Sequence, residues 1–153
     1  MTTASELETD LLATLVERKH ACLEQLLELG RQQCALVDAG DMTTLLQVLS
    51  VKQQLVGQLT AVERQLDPFR LQVPDDRHWR SPTLRQRCGE QIARAEQLLA
   101  GVLTYERQAE QRLQQRRDES AARLSGAHHA LNARGAYRDE PQRTTGQLDI
   151  LSP

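Results

Sequence analysis

The sequence predicts an all-α fold: an antiparallel three-helix coiled-coil bundle with a long third helix and a flexible C-terminal tail. Three observations lead there. The 153 residues include 25 Leu and 18 Gln but only four aromatics, Phe69, Trp79, Tyr105 and Tyr137. Leu, Gln, Glu, Arg and Ala lose little side-chain freedom in a helix, whereas sheets draw on aromatic and β-branched residues, so all-β and α/β folds are disfavoured. Leu recurs at helical spacing, and a chain that is 39% hydrophobic and 26% charged is too periodic to be disordered. One proline-rich stretch breaks the periodicity and separates a helical pair from a longer helical run.

The first helix is expected over about 5–39. Ser5 can cap its start while Glu8, three residues on, completes a capping box. Leu7, Leu11, Leu15, Cys22, Leu26, Leu29 and Leu36 recur near the 3.6-residue period, and Leu12, Val16, Leu23, Leu27, Cys34 and Val37 widen the face. So broad an apolar face needs two partners. Gly40 suits the left-handed position after a helix and Asp41 the next N-cap, which predicts a tight helical hairpin.

The second helix, about 41–67, carries Leu45, Val48, Lys52, Leu55, Leu59, Val62 and Leu66, whose alternating steps of three and four are a coiled-coil seam. Lys52 is its one polar member. It can snorkel outward or fix packing register against an acid of helix 1 such as Glu17 or Glu24. Residues 68–81 contain Pro68, Pro74 and the pair Asp75-Asp76, and form a loop that Phe69 and Trp79 are expected to pin over one end of the bundle.

Ser81 then reads as an N-cap with Pro82 at the first helical position, opening a third helix over about 82–134. Its stripe runs Leu84, Cys88, Ile92, Ala95, Leu99, Val102, Glu106, Ala109 and Leu113, and weakens from Glu106 onward. At about 1.5 Å per residue the three helices would be roughly 50, 40 and 80 Å long, so the third outruns the others. Its last stretch, near Arg116 to Arg134, keeps the amphipathic set Leu124, Ala127, His128 and Leu131 without an evident partner in the chain. The expected domain is thus 1–134, followed by a flexible tail over 135–153.

Charge is unevenly placed. Residues 1–67 hold five Arg or Lys against ten Asp or Glu, whereas residues 83–138 hold ten against six. The simplest use of that asymmetry is internal pairing, although exposed pairs contribute little each. Cys22, Cys34 and Cys88 lack metal-ligand spacing and read as buried reduced thiols. No N-terminal apolar region resembles a signal peptide, and the longest uncharged apolar-rich window, 42–51, is about half a membrane span. A cytoplasmic protein is expected.

Nothing in the sequence requires catalysis, and no enzyme activity, cofactor or metal is predicted. Glu17-x-x-His20 has the spacing of a di-iron half-site, but such a site needs a second copy and two more inward glutamates; a solvated helix face is the ordinary reading. His128 and His129 point about 100° apart and cannot share a metal on one face. Arg107, Arg112, Arg116, Arg117 and Arg123 are interspersed with Glu106, Glu110, Asp118 and Glu119, which argues against nucleic acid as partner.

The segment DAGDMTTLLQVLSVKQQL at 38–55 resembles the central signature of the FlgN-like flagellar export chaperones, with Gly40-Asp41, Leu45-Leu46, Leu49, Lys52 and Leu55 in the matching places. The Leu-rich first helix, the proline-containing loop, the long third helix and Tyr137 in the tail also look like that family's layout. The resemblance implies a cytosolic chaperone that binds the C-terminal helical segments of hook-associated flagellar proteins and prevents their premature assembly. Delivery would be to the cytosolic domain of the flagellar type III export gate's membrane protein. It further implies substrate binding in the region of Leu113, Leu124, Ala127 and Leu131, and gate docking at Ala136 and Tyr137, although the family often has Gly where this chain has Arg138.

The residues themselves lead to a compatible expectation. An overhanging amphipathic helix suits pairing with another helix, and Ser120 and Ala127 would permit close approach. The alternative is a homodimeric coiled-coil adaptor or structural protein whose overhangs pair with each other.

Overall fold

The computed structural model describes residues 3–151, with side chains for residues 3–136. Helix makes up 92% of it, in α1 (Ala4–Ala39), α2 (Met42–Arg70), α3 (Pro82–Leu151) and a 3-10 turn at Pro74–Asp76, with no strand among the described residues. The chain divides into two compact units, residues 1–112 and 113–153. The first unit holds α1, α2, the loop and the opening part of α3.

The start of α1 lies two residues before the expected cap. Thr3 accepts the Glu6 N–H at 3.1 Å and Glu6 accepts the Thr3 N–H at 3.1 Å, a complete capping box. Thr3-x-x-Glu6 satisfies the same rule as Ser5-x-x-Glu8, and the earlier box adds half a turn of helix. At the other end the expected hairpin forms. Gly40 takes the left-handed φ of 73°, the Asp41 N–H reaches the Leu36 carbonyl at 3.1 Å, and the Asp41 carboxylate accepts from the Thr44 N–H at 3.1 Å and the Thr44 hydroxyl at 2.7 Å.

On α2 every residue of the expected seam is buried or half-buried, and the row continues to Phe69. The helix therefore passes Pro68 instead of ending before it. A proline well inside a helix costs about 3 kcal/mol. Here it stands in the last turn, and burying Phe69 is worth roughly 1.5–3 kcal/mol. Ion pairs from Arg70 to Glu63 and Asp67 brace the same turn.

Two rows differ from expectation by small rotations. On α1 the buried and half-buried positions Thr9, Leu12, Val16, Lys19, Leu23, Leu26, Gly30, Gln33 and Val37 alternate by three and four, while Leu7 and Leu11 are 57% and 51% exposed. On α3 the inner row is Leu84, Cys88, Gln91, Ala95, Leu98, Val102, Tyr105, Ala109 and Arg112, so Ile92, Leu99 and Glu106 lie one residue outside it. The cause is packing against α1. A Cβ on Gly30 would stand 3.0 Å from the Tyr105 Cβ, and one on Gly101 would stand 2.8 Å from the Leu27 Cδ1, so these two glycines let α1 and α3 approach and admit Tyr105. The helix remains unbroken through Gly101 and Gly126.

Two apolar clusters join the helices. One unites Leu12, Leu15 and Val16 with Val62, Leu66, Phe69 and Cys88; the other unites Leu23 and Leu26 with Leu55, Ala95 and Leu98. Higher numbers on α1 thus meet lower numbers on α2 and higher numbers on α3. Leu15 and Leu23 are fully buried, and truncating either to Ala should cost about 2–5 kcal/mol. The loop is pinned as expected. Trp79 packs on the first cluster, Arg77 donates to the Phe69 carbonyl at 2.7 Å, and the buried Thr9 hydroxyl donates to the His78 carbonyl at 2.7 Å. Ser81 caps α3, its hydroxyl accepting the Leu84 N–H at 3.1 Å.

Lys52 is paired, but not with Glu17 or Glu24. Its ammonium donates to the side-chain Oε1 of Gln33 on α1 at 3.0 Å and pairs with Glu106 of α3. Glu17 instead faces Arg87 at 3.7 Å, and Glu24 faces His20 at 3.7 Å. The charge asymmetry is used internally: Asp10, Glu17 and Asp38 of α1 meet Arg80, Arg87 and Arg112. Lys19 adds an α1–α2 pair to Glu63 at 2.7 Å.

Burial pushes the Glu63 carboxyl up, but the Lys19 and Arg70 cations outweigh it and hold the group below its ordinary value. A depressed folded value stabilises above the unfolded value and ceases to do so as pH falls through the folded one. The stability lost by Glu63→Gln, read from urea midpoints, should therefore be largest near neutrality and shrink as pH falls below about 4.5; a constant difference from pH 7 to 3 would contradict the pairing. Gly30→Ala should lower stability by about 1 kcal/mol, since overpacking of about 1–3 kcal/mol exceeds a helix-propensity gain of about 1 kcal/mol. Gly89→Ala, with nothing within 4 Å, should raise it. Equal stability of the two variants would refute the close approach.

Candidate partner-binding surface

The second unit, residues 113–153, is described by itself. From 113 to 136 it is α-helical, and every side chain in that stretch is exposed except Arg116, which is half-buried. Leu113, Ser120, Leu124, Ala127 and Leu131 fall on one row, at steps of seven, four, three and four. Leu113, Leu124 and Leu131 are 39%, 72% and 65% exposed. Three exposed leucines at heptad-compatible positions make a stripe fit for another helix.

That stripe does not continue the bundle's inner row. Past Arg116 the inner row's own positions are Glu119, Arg123, Gly126, Ala130 and Ala133, which offer almost nothing to bury. The leucines stand one residue further on, about 100° round the helix. Within the first unit the same outer row carries Ile92, Leu99 and Leu103, exposed by 42%, 40% and 49%. The stripe expected from sequence thus alternates between the two rows: Leu84, Cys88, Ala95, Val102 and Ala109 belong to the inner row, whereas Ile92, Leu99, Glu106 and Leu113 belong to the outer one. The charge at Glu106 marks the outer row as the one that is not core.

Ala136 is exposed, whereas the side chain of Tyr137 lies outside the described residues. Gly126 has no atom within 4 Å of where its Cβ would be. His128 and His129 hold their ring centroids 6.4 Å apart at 59°, both exposed.

Elsewhere the arrangement offers structure more than chemistry. Cys34 donates from Sγ to the Tyr105 carbonyl at 3.6 Å. Burial pushes the Cys22 and Cys88 thiols up, with Arg77 partly opposing this at Cys88, so the thiolates needed for nucleophilic or redox work are disfavoured. Among the described residues no group of three or more His, Cys, Asp or Glu is placed to hold a metal. A cavity of about 190 Å³ opens between Leu12, Val16, Leu66, Phe69, Ile92 and Ala95. The cations at its edge are engaged, Lys19 and Arg70 with Glu63 and Arg77 with the Phe69 carbonyl. No described helix is long and apolar enough to cross a membrane.

Compared with protein-family models, curated proteins and solved structures, the chain matches none.

Because Gly126 weakens its own helix by roughly 1 kcal/mol and touches nothing, Gly126→Ala should slow amide exchange across residues 120–130 of the full chain. Unchanged or faster exchange there would show that the glycine is not what limits this helix.

Proposed function

We propose that the chain is a cytosolic chaperone of the FlgN-like flagellar export type. It binds the C-terminal helical segments of hook-associated proteins, prevents their premature assembly and delivers them to the type III export gate. The observation that carries this reading is the exposed row of Leu113, Leu124 and Leu131 with Ser120 and Ala127 between them. A helix laid on that row conceals its own apolar face, and no covalent chemistry is needed.

In this reading the inner rows of α1, α2 and the first part of α3 form an antiparallel three-helix coiled coil that serves as scaffold. Support comes from the alternation of three and four on all three rows and from the order of contacts along them. Ala136 and Tyr137 would dock at the cytosolic domain of the gate's membrane protein, by resemblance to the family's small-residue-plus-Tyr element.

A peptide from the C-terminus of a hook-associated protein should bind the full chain but not one ended at residue 112, which retains both apolar clusters. In the full chain, Leu124→Asp with Leu131→Asp should weaken that binding by at least about tenfold and leave the bundle's unfolding midpoint unchanged. Equal binding by the full and shortened chains would remove the reading. Sedimentation at micromolar concentration tests the competing one, since a stable dimer lost on ending the chain at 112 would favour a homodimeric adaptor.

A further inference from the structure

The charges around the exposed row are sorted by side. Taking Leu113, Arg117, Ser120, Leu124, Ala127, Leu131 and Arg134 as the seam, with steps of four and three, the flanking positions nearest it hold Arg116, Arg123 and His128. The only acids of this stretch, Asp118 and Glu119, lie about 100° or more from the row's centre. Five basic residues thus stand on or beside the seam, and no carboxylate does. Arg117, Arg123 and His128 are exposed.

A second copy of this chain fits that field poorly. Paired antiparallel about the row's midpoint, Arg123 would stand against Arg123 of the other copy; paired parallel, Arg123 would stand against His128, which offers it no negative charge. A like-charge pair in one orientation, and no acid at the flanks in either, select a different partner. Inside the bundle the same problem is already solved once: the cation on α2's seam, Lys52, is met by Glu106 and Gln33 from the helices it faces.

We infer that the row of residues 113–134 docks an amphipathic helix of another protein that carries acidic residues at its flanking positions and one carboxylate within its apolar seam, opposite Arg117. This rests on the chaperone reading and specifies its client. Leu124 and Leu131 supply the apolar anchors, and the small Ser120 and Ala127 leave room for the partner's large apolar side chains. The Arg117 pair sets the register, as Lys52 does in the bundle. Charge at the flanks governs which helix is accepted and how fast it associates.

The test uses the full chain and two synthetic three-heptad helices with the same leucine seam. One carries Glu at its flanks and at one seam position; the other carries Lys at those places. The acidic peptide should bind at least about tenfold more tightly at low salt, with the advantage falling as ionic strength rises. In the full chain bearing Arg117→Glu and Arg123→Glu the preference should reverse, which shows that a loss of acidic-peptide binding is not misfolding. Equal binding of the two peptides by the natural chain would overturn the charge inference while leaving helix capture standing. Binding of neither would overturn both. Self-association of the full chain through the row, abolished by Leu124→Asp, would overturn the assignment to another protein.

Discussion

The hydrogen-bonded set of Gln33, Lys52 and Glu106 is the one polar contact that joins a seam residue of α2 to both α1 and α3 among the described residues of the first unit. Apolar seams alone leave register degenerate, because leucine rows match one another at every heptad step. An ammonium placed on such a row can be buried only where the facing helices present acceptors. Gln33 on α1 and Glu106 on α3 do so at one height, and a shift of any helix by one heptad would leave Lys52 without them. The two clusters, the Gly30–Tyr105 approach and the peripheral pairs from Asp10 to Arg80 and from Asp38 to Arg112 all presuppose that register.

Much of this was legible in the sequence where one residue type leaves one physical choice. Gly40-Asp41 closes the hairpin, Ser81-Pro82 opens α3, and α2's seam is buried as its spacing requires. What the sequence left ambiguous were choices between equals. Thr3 and Ser5 each head a capping box, and the α3 rows through Leu98 and through Leu99 have the same period. Tertiary contact decides the second case, through Gly30, whose missing side chain admits Tyr105. Glu106 could be seen to interrupt a stripe, but its role as the acid for Lys52 depends on helix order and height, which periodicity does not contain. Pro68 misled for a related reason, since local backbone preference yielded to the burial of Phe69.

The candidate surface follows from the same rotation. Once the inner row of α3 passes through Leu98, Tyr105 and Arg112, the outer-row residues Ile92, Leu99 and Leu103 of the first unit stay exposed. Along 113–136 the inner positions are themselves polar or small, and all three leucines of the stretch stand on the outer row. The stretch keeps its helical character through Ala, Gln, Arg and Glu, which favour helix without needing a core. Stability and recognition fall, in the proposed function, to different rows of one helix. In the proposed function the bundle supplies a rigid start to α3 and the later row supplies the contact. The placement of arginines beside that row then discriminates among helices that share a leucine pattern.

Hydrogen exchange of the full chain, alone and with the C-terminal segment of a hook-associated protein, tests this division most directly. Slowed exchange confined to residues 113–134, with residues 4–112 unchanged, is the predicted result. Protection confined to the bundle, or no protection anywhere, would contradict it.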